Sequence, residues 1–260
     1  MTKKLSIITI NYNNLDGLKR TVESVVNQTW QEFEYIVIDG YSTDGSREYI
    51  EGQSEHIDYW VSEPDKGIYN AMNKGIAKAS GEYLLFLNSG DPLFSNTVLH
   101  ENHNAIRDHD FVYFEIEFVE QKTSKIVAYP AQLNFSFFYI GTLCHQSTFI
   151  KKTLFDVYGF YDENFRFVSD WKFFIEALFK NSCSYLKVDS ILTSYYLDGI
   201  SSDLANQKLL YEERQQLLNS EFKGHIEDIN ELFELRKTIS NLRKSKKIGL
   251  LVKLGLLHKF

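Results

Sequence analysis

Three short polar clusters stand where apolar runs end, and their side chains are of the kinds that hold nucleotides and hard cations. Thr9, Asn11 and Asn13 close the run beginning at Leu5. Asp39, Ser42 and Asp44 close the one from Tyr35, and Asn88, Ser89 and Asp91 close the one from Tyr83. Amides and hydroxyls both donate and accept, whereas carboxylates accept N–H groups or ligate hard cations. Asp39 at a strand end can accept from an imide such as uracil N3–H, or it can satisfy N–H groups of its own turn. Asp91 can be one oxygen ligand to Mg²⁺ or Mn²⁺ on a diphosphate, or a turn residue within Asn88–Pro92. Asp170 can serve as a general base, or as an acid in the first turn of a helix capped by Ser169.

Such clusters do chemistry together only if a scaffold collects the strand ends, and a parallel α/β sheet does this at its carboxyl edge. The first ninety or so residues read that way. Leu5–Ile10 is a strand; Leu18, Val22, Val25 and Val26 mark a helix over Leu15–Gln28; Tyr35–Ile38 is the next strand. Asp44–Glu51 reads as a helix and Ile57–Val61 as a short strand. Ile68, Met72, Ile76 and Ala79 mark a helix that Gly81 stops, before the buried strand Tyr83–Leu87. Beyond it, Phe111–Val119 and Lys125–Tyr129 form an antiparallel pair, Leu133–Thr142 is strongly aromatic, and Gly159–Phe167 is loop. Ser169–Lys180 is helix, Ser184–Tyr196 strand, and the chain is helical from Leu204 onward.

Composition narrows the class. The 260 residues are 43% hydrophobic and 24% charged, with a net charge of -7, which suits one α/β domain with an appendage. Two cysteines, Cys144 and Cys183, exclude a disulfide scaffold and a four-thiolate zinc site. The acidic balance argues against nucleic acid as a partner. The first ten residues hold too short an apolar stretch for a signal peptide, and no window spans a membrane, so a cytoplasmic protein is expected. Charge is uneven, however: Arg236 to Phe260 carries +8 with no acid, leaving -15 on the rest.

Near misses narrow the ligand. Gly40–Ser46 has the glycine spacing of a phosphate loop but no lysine, and it follows the second strand; no G-x-G-x-x-G follows any strand. Kinase, ATPase and dinucleotide-cofactor readings therefore fall. What remains resembles the inverting family-2 glycosyltransferases of the GT-A fold. Ser6–Asn13 (SIITINYN) is similar to their first strand, and Tyr35–Ser46 (YIVIDGYSTDGS) to their second strand and uridine-binding turn. Ser62–Gly75 (SEPDKGIYNAMNKG) resembles a stretch of one bacterial branch, and Phe86–Asp91 (FLNSGD) stands where the metal-binding D-x-D variant belongs. His145–Ser147, Gly159–Asp162, Ser169–Trp171 and Gly199–Ser202 match the acceptor half in order and spacing, so the resemblance covers about residues 3 to 203.

The resemblance implies a Rossmann-like GT-A fold, a mixed central sheet flanked by helices, with residues 1–92 as the nucleotide-sugar half, 93–222 as the acceptor half and 223–260 as a basic helical tail. It implies metal-dependent, inverting transfer of a hexose or N-acetylhexosamine from a UDP-sugar to a saccharide hydroxyl, lipid-linked, in polysaccharide or lipopolysaccharide synthesis. Asp39 would hold the uracil. Thr9, Asn11, Asn13, Ser42, Lys66, Asn70, Lys74, Asn88 and Ser89 would line the nucleotide-sugar pocket, and Asp91 would ligate Mn²⁺ or Mg²⁺. Asp170 would be the base, and His145, Gln146, Trp171 and Ser201 would meet the acceptor or diphosphate. Packing remains the other reading for His145, Trp171 and the aromatics Phe135, Phe137, Phe138 and Tyr139. A thiol–imidazole pair of Cys144 and His145 is rejected, since neighbours on a strand face opposite ways.

One departure stands out: the family's D-S-D-D is Asn88–Ser89–Gly90–Asp91 here, two carboxylates poorer, which predicts weak metal affinity. A nucleotidyltransferase would want a basic phosphate grip early in the chain, which is absent; a sugar-nucleotide-binding module without catalysis stays open. In the tail, Ile226, Ile229, Leu232, Phe233 and Ile239 mark a helix facing the body. Lys246, Lys247, Lys253 and Lys259 among leucines suit an anionic membrane surface, with a homodimer contact or a solvated end as alternatives.

Overall fold

The computed structural model describes residues 3–120, 123–197 and 204–258. Its first third alternates as the hydrophobic periodicity requires: β1 (Leu5–Asn11), α1 (Leu15–Val26), β2 (Phe33–Asp39), α2 (Ser46–Gly52), β3 (Tyr59–Ser62), α3 (Ile68–Lys78) and β4 (Tyr83–Asn88). Then come α4 (Val98–Asn102), β5 (Phe111–Glu120), β6 (Thr123–Val127), α5 (Phe135–Ile140), β7 (Thr148–Lys151), α6 (Thr153–Tyr158), α7 (Ser169–Phe179) and β8 (Tyr185–Tyr196). Three helices follow: α8 (Gln207–Glu221), α9 (Lys223–Lys244) and α10 (Lys246–Lys253). The aromatic stretch is thus a short helix, opened by Asn134, whose side chain accepts from the Phe137 N–H.

The strands form one sheet in the order β3-β2-β1-β4-β7-β5-β6, with β8 on β5. β1, β2, β3 and β4 run parallel; β7 turns the direction, pairing antiparallel with both β4 and β5. β1 and β4 are buried on both faces, apart from a half-buried Asn88 at the end of β4, which is why their sequences read as nearly unbroken apolar runs. Register sets Asn11 opposite Asp39 and Ile10 opposite Asn88, so three polar clusters meet at one edge. That edge lies where the chain order reverses around β1, the usual ligand position in such sheets.

Alternation along the strands divides the core. Leu5, Ile7, Tyr35, Val37, Leu85 and Leu87 pack with Leu18, Val22 and Val25 of α1. On the other face Phe86 meets Phe155 and Tyr161, and Phe173 of α7 stacks on Phe155. α3 lies against β1 on this face at a glycine: a Cβ on Gly75 would overlap the Ile8 side chain. Chain contacts group the protein into two units, Met1–Glu213 and Arg214–Phe260, so α8 begins in the first and ends in the second. No described helix is long and apolar enough to cross a membrane. Gly75→Ala is expected to destabilise the fold by about 1–3 kcal/mol through overpacking. A lowered urea midpoint at unchanged m-value checks this.

Candidate active site

At the ends of β1 and β2 the polar side chains bind one another. Asp39 is fully buried, and its carboxylate accepts four bonds: from Asn11 Nδ2 at 2.8 Å, Ser42 Oγ at 2.5 Å, the Ser42 N–H at 3.0 Å and Ser62 Oγ at 2.6 Å. Four donors fill its lone pairs, so contact with an imide N–H requires a Ser42 or Ser62 hydroxyl to turn away. Asn13, in the left-handed region at φ 48°, gives its N–H to Ser42 Oγ and accepts from the Thr43 N–H. Thr9 lies deeper, its hydroxyl 3.0 Å from that of Tyr35 within the buried core. Asn11 Oδ1 is buried without a partner.

The turn after β4 is clamped from α1. Thr21 Oγ1 donates to the Asn88 carbonyl and accepts the Gly90 N–H at 2.9 Å, while Asn14 Nδ2 donates to the Ser89 carbonyl. Gly90 has φ 114°, a conformation that favours glycine. Asp91 is buried and accepts from Gln146 Nε2 at 3.0 Å. Asn88 Oδ1 is buried and has no hydrogen-bond partner among the described residues, as is true of Asn11 Oδ1 on the adjacent strand. Buried acceptors left open are uncommon, and a water, an ion or a ligand donor can fill them. Among the described residues no three His, Cys, Asp or Glu side chains gather for a metal. The Asp91 carboxylate and Asn88 Oδ1 are hard oxygen donors that fit Mg²⁺ or Mn²⁺, but only as a minority of its ligands.

Asp170 joins this edge from α7. Its Oδ1 accepts from the Tyr69 hydroxyl of α3 at 2.8 Å, and its Oδ2 from His145 Nδ1 at 2.8 Å. With the Nδ1 proton directed to the carboxylate, His145 Nε2 accepts from Asn88 Nδ2 at 3.3 Å. A chain of hydrogen bonds therefore runs from the β4 turn to Asp170. The Asp170 side chain retains 14% exposure and that of His145 11%, so both are shielded yet within reach of a ligand. Burial pushes the Asp170 carboxyl up, but the hydrogen bonds from His145, the Tyr69 hydroxyl and the Trp171 N–H outweigh it and hold the group below its ordinary range.

The segment leading into α7 is tied at both ends. Asn73 exchanges hydrogen bonds with the Tyr161 backbone and donates to Glu163 Oε1; Asn70 donates to Glu163 Oε2. Glu213 accepts the Arg166 and Phe167 N–H groups at 2.7 and 2.9 Å, and Lys172 pairs with Asp162 at 2.7 Å. Tyr69, Asn73, Glu163 and Glu213 are absent from the sequence-based site. Tyr69 and Asn73 lie inside the quoted Ser62–Gly75 stretch, whereas nothing local marks Glu213.

Several expectations need correction. Trp171 is buried to 1% and gives its indole N–H to the Phe138 carbonyl, so it belongs to the core and cannot stack on a sugar. Phe135 and Phe138 are buried, in line with the packing reading of the aromatic stretch. Ser169 does not cap α7: it is the first helical residue, Val168 occupies the cap position without a side-chain bond, and Ser169 Oγ is buried and unpartnered. Cys144 and His145 are not neighbours on a strand, because His145–Ser147 is a turn of 3-10 helix. The thiol is nonetheless inert, burial pushing it up to about 12. Separately from these corrections, Lys74 donates to the Pro64 carbonyl and pairs with Glu63, and Asn70 accepts the Lys66 backbone N–H, contacts that also order the loop before α3. Ser201 lies outside the described residues.

This sheet with its polar edge is that of a GT-A transferase. The glycosyl transferase family 2 model matches residues 6–157, and the chain belongs to that family; it is a glycosyltransferase. An uncharacterized glycosyltransferase of Mycobacterium tuberculosis is 34% identical over 203 residues, 76% of this chain and 77% of its own. A PGL/p-HBAD biosynthesis glycosyltransferase of Mycobacterium bovis is 27% identical, covering 79% and 82%. Among solved structures, S. aureus TarS 1-349 in complex with UDP-GlcNAc superposes with a TM-score of 0.66 at 18% identity, covering 96% of this chain and 76% of that one.

Tyr69→Phe removes one bond that favours the Asp170 carboxylate, so its pKa rises toward the ordinary value. Activity that needs the ionised form is lost as pH falls through that pKa, so the acid limb of the pH–rate profile is expected to move to higher pH. A limb that stays in place would show that Tyr69 does not act on Asp170.

Proposed function

We propose that the protein is an inverting transferase that moves a hexose or N-acetylhexosamine from a UDP-sugar to a hydroxyl of a saccharide acceptor carried on a lipid. The observation that carries this reading is the hydrogen-bonded chain from Asn88 through His145 to Asp170. It sets one ionised carboxylate across from the turn where the leaving diphosphate would lie. TarS, solved with UDP-GlcNAc, and a relative named for glycolipid synthesis support the donor and acceptor classes.

In this reading Asp170 takes the proton of the acceptor hydroxyl as that oxygen bonds to the anomeric carbon and the bond to the diphosphate breaks. The low pKa makes Asp170 a weak base but keeps it charged at neutral pH. Tyr69 and His145, one on each oxygen, fix the carboxylate plane. Asp39, Ser42, Asn11 and Asn13 form the nucleoside wall, in which uracil contact follows rotation of a serine hydroxyl. Asp91 and Asn88 would hold Mn²⁺ or Mg²⁺, which when bound supplies positive charge to the departing diphosphate. Loss of two family carboxylates leaves this hold weak.

The tail supplies a reading of location. Leu250, Leu254 and Leu256 are 57%, 62% and 68% exposed beside Lys246, Lys247 and Lys253, and α10 ends at Lys253, with Gly255 at φ 71° just beyond. Apolar and cationic side chains side by side suit an anionic bilayer surface, where a lipid-linked acceptor is presented.

Asp170→Asn is expected to keep donor affinity and lose UDP release from UDP-sugar by ~10²-fold or more, while EDTA lowers the wild-type rate and Mn²⁺ restores it. An active Asp170→Asn enzyme would remove the base assignment, and a rate indifferent to EDTA the metal. Vesicles containing anionic lipid are expected to sediment the wild type and release a Lys246→Gln, Lys247→Gln, Lys253→Gln variant. Equal sedimentation would discard the membrane reading.

A further inference from the structure

A cation beside the β4 turn, Arg20, has no carboxylate partner among the described residues. Arg20, in the second turn of α1, is half-buried; its guanidinium carbon lies over the Tyr196 ring, 3.8 Å from the centroid. It forms no ion pair with any described residue, and its Nε is buried without a hydrogen-bond partner. A partly desolvated guanidinium ordinarily finds a carboxylate, because leaving it unpaired is costly. Its other edge faces the turn: a Cβ built on Gly90 would lie 3.9 Å from Arg20 Nη2 and 3.6 Å from Asn14 Nδ2. Residue 90 is a glycine, so the turn brings no counter-charge to this arginine at that point.

We propose that Arg20, held on the Tyr196 ring beside the Asn88–Asp91 turn, binds the diphosphate of the sugar donor. The proposal rests on the nucleotide-sugar reading above and adds to it a cation fixed in the protein. Guanidinium presents a planar fork of donors matched to phosphate oxygens. The ring restricts its orientation before substrate arrives, so less freedom is lost on binding. Thr21, the next residue, holds the Asn88 carbonyl and the Gly90 N–H, so one helix positions both the turn and the charge beside it. With one carboxylate left in the turn, a metal held there is shared mostly with substrate. A fixed cation then carries part of the neutralisation that the leaving diphosphate requires.

The test compares three probes on the full chain by calorimetry: uridine, UDP and inorganic pyrophosphate. Arg20→Gln is expected to weaken UDP and pyrophosphate by about tenfold or more and to leave uridine unchanged, since only the phosphates meet the arginine. Arg20→Lys, which keeps charge but not the fork, falls between. The wild type provides a measurement free of folding effects: pyrophosphate should protect Arg20 from phenylglyoxal, read by mass spectrometry, and uridine should not. If pyrophosphate binding and protection behave this way while uridine does not bind, the uridine reading fails and Arg20 stands. Equal pyrophosphate affinity in wild type and Arg20→Gln, or no protection by pyrophosphate, overturns the assignment.

Discussion

A carboxylate largely shielded from water must have its oxygens occupied, and much of this molecule follows from how Asp170 meets that demand. One oxygen is bound by Tyr69, from the helix that precedes β4; the other by His145, from the turn that precedes β7. The two donors come from opposite halves of the sheet, so the carboxylate sits at their seam. Its ionised state is then a property of the fold: burial alone favours the neutral acid, and two hydrogen bonds plus a backbone N–H reverse the preference. The ties at Asn73, Glu163 and Glu213 serve the same end, since they fix the backbone that enters α7.

At the other side of the edge the logic is reversed. The Asn88–Asp91 turn has few charges and open acceptors, and Asn11 Oδ1 beside it is also open. A surface with unmet acceptors next to a lone cation is poised for a ligand that brings both anionic oxygens and hydrogen-bond donors. The nucleoside wall differs again: Asp39 is saturated by its own neighbours, which makes it a rigid corner joining β1, β2 and β3. The edge thus combines a rigid corner at the ends of β1, β2 and β3, an open turn after β4 and an ionised acid brought by α7.

The parts legible in the sequence are those with local causes. Apolar runs fixed β1, β2 and β4 to within two residues, because strands buried on both faces leave little choice of side chain. Helices α1 and α3 followed from apolar spacing, and the three polar clusters from the ends of those runs. What escaped is long-range. Tyr69 meets Asp170 across 101 positions and Arg166 meets Glu213 across 47, and no spacing rule reaches so far. Trp171 misled for a chemical reason: indole is at home both on a sugar and in a core, and only the Phe138 carbonyl at its N–H decides. The Ser169 cap failed because the helix begins one residue earlier than the capping pattern requires.

Glu213 carries a consequence for modularity. It is the final residue of the first compact unit, and its carboxylate closes two backbone amides just ahead of α7. The family match ends at residue 157, yet the first compact unit extends more than fifty residues further, to Glu213 on α8. Exchange of tails between relatives therefore has a natural seam after this glutamate and not at the end of β8. A chimera joined upstream of it would inherit a sheet and an edge but lack the clasp on the passage from α6 to α7, and with it the alignment of its acid.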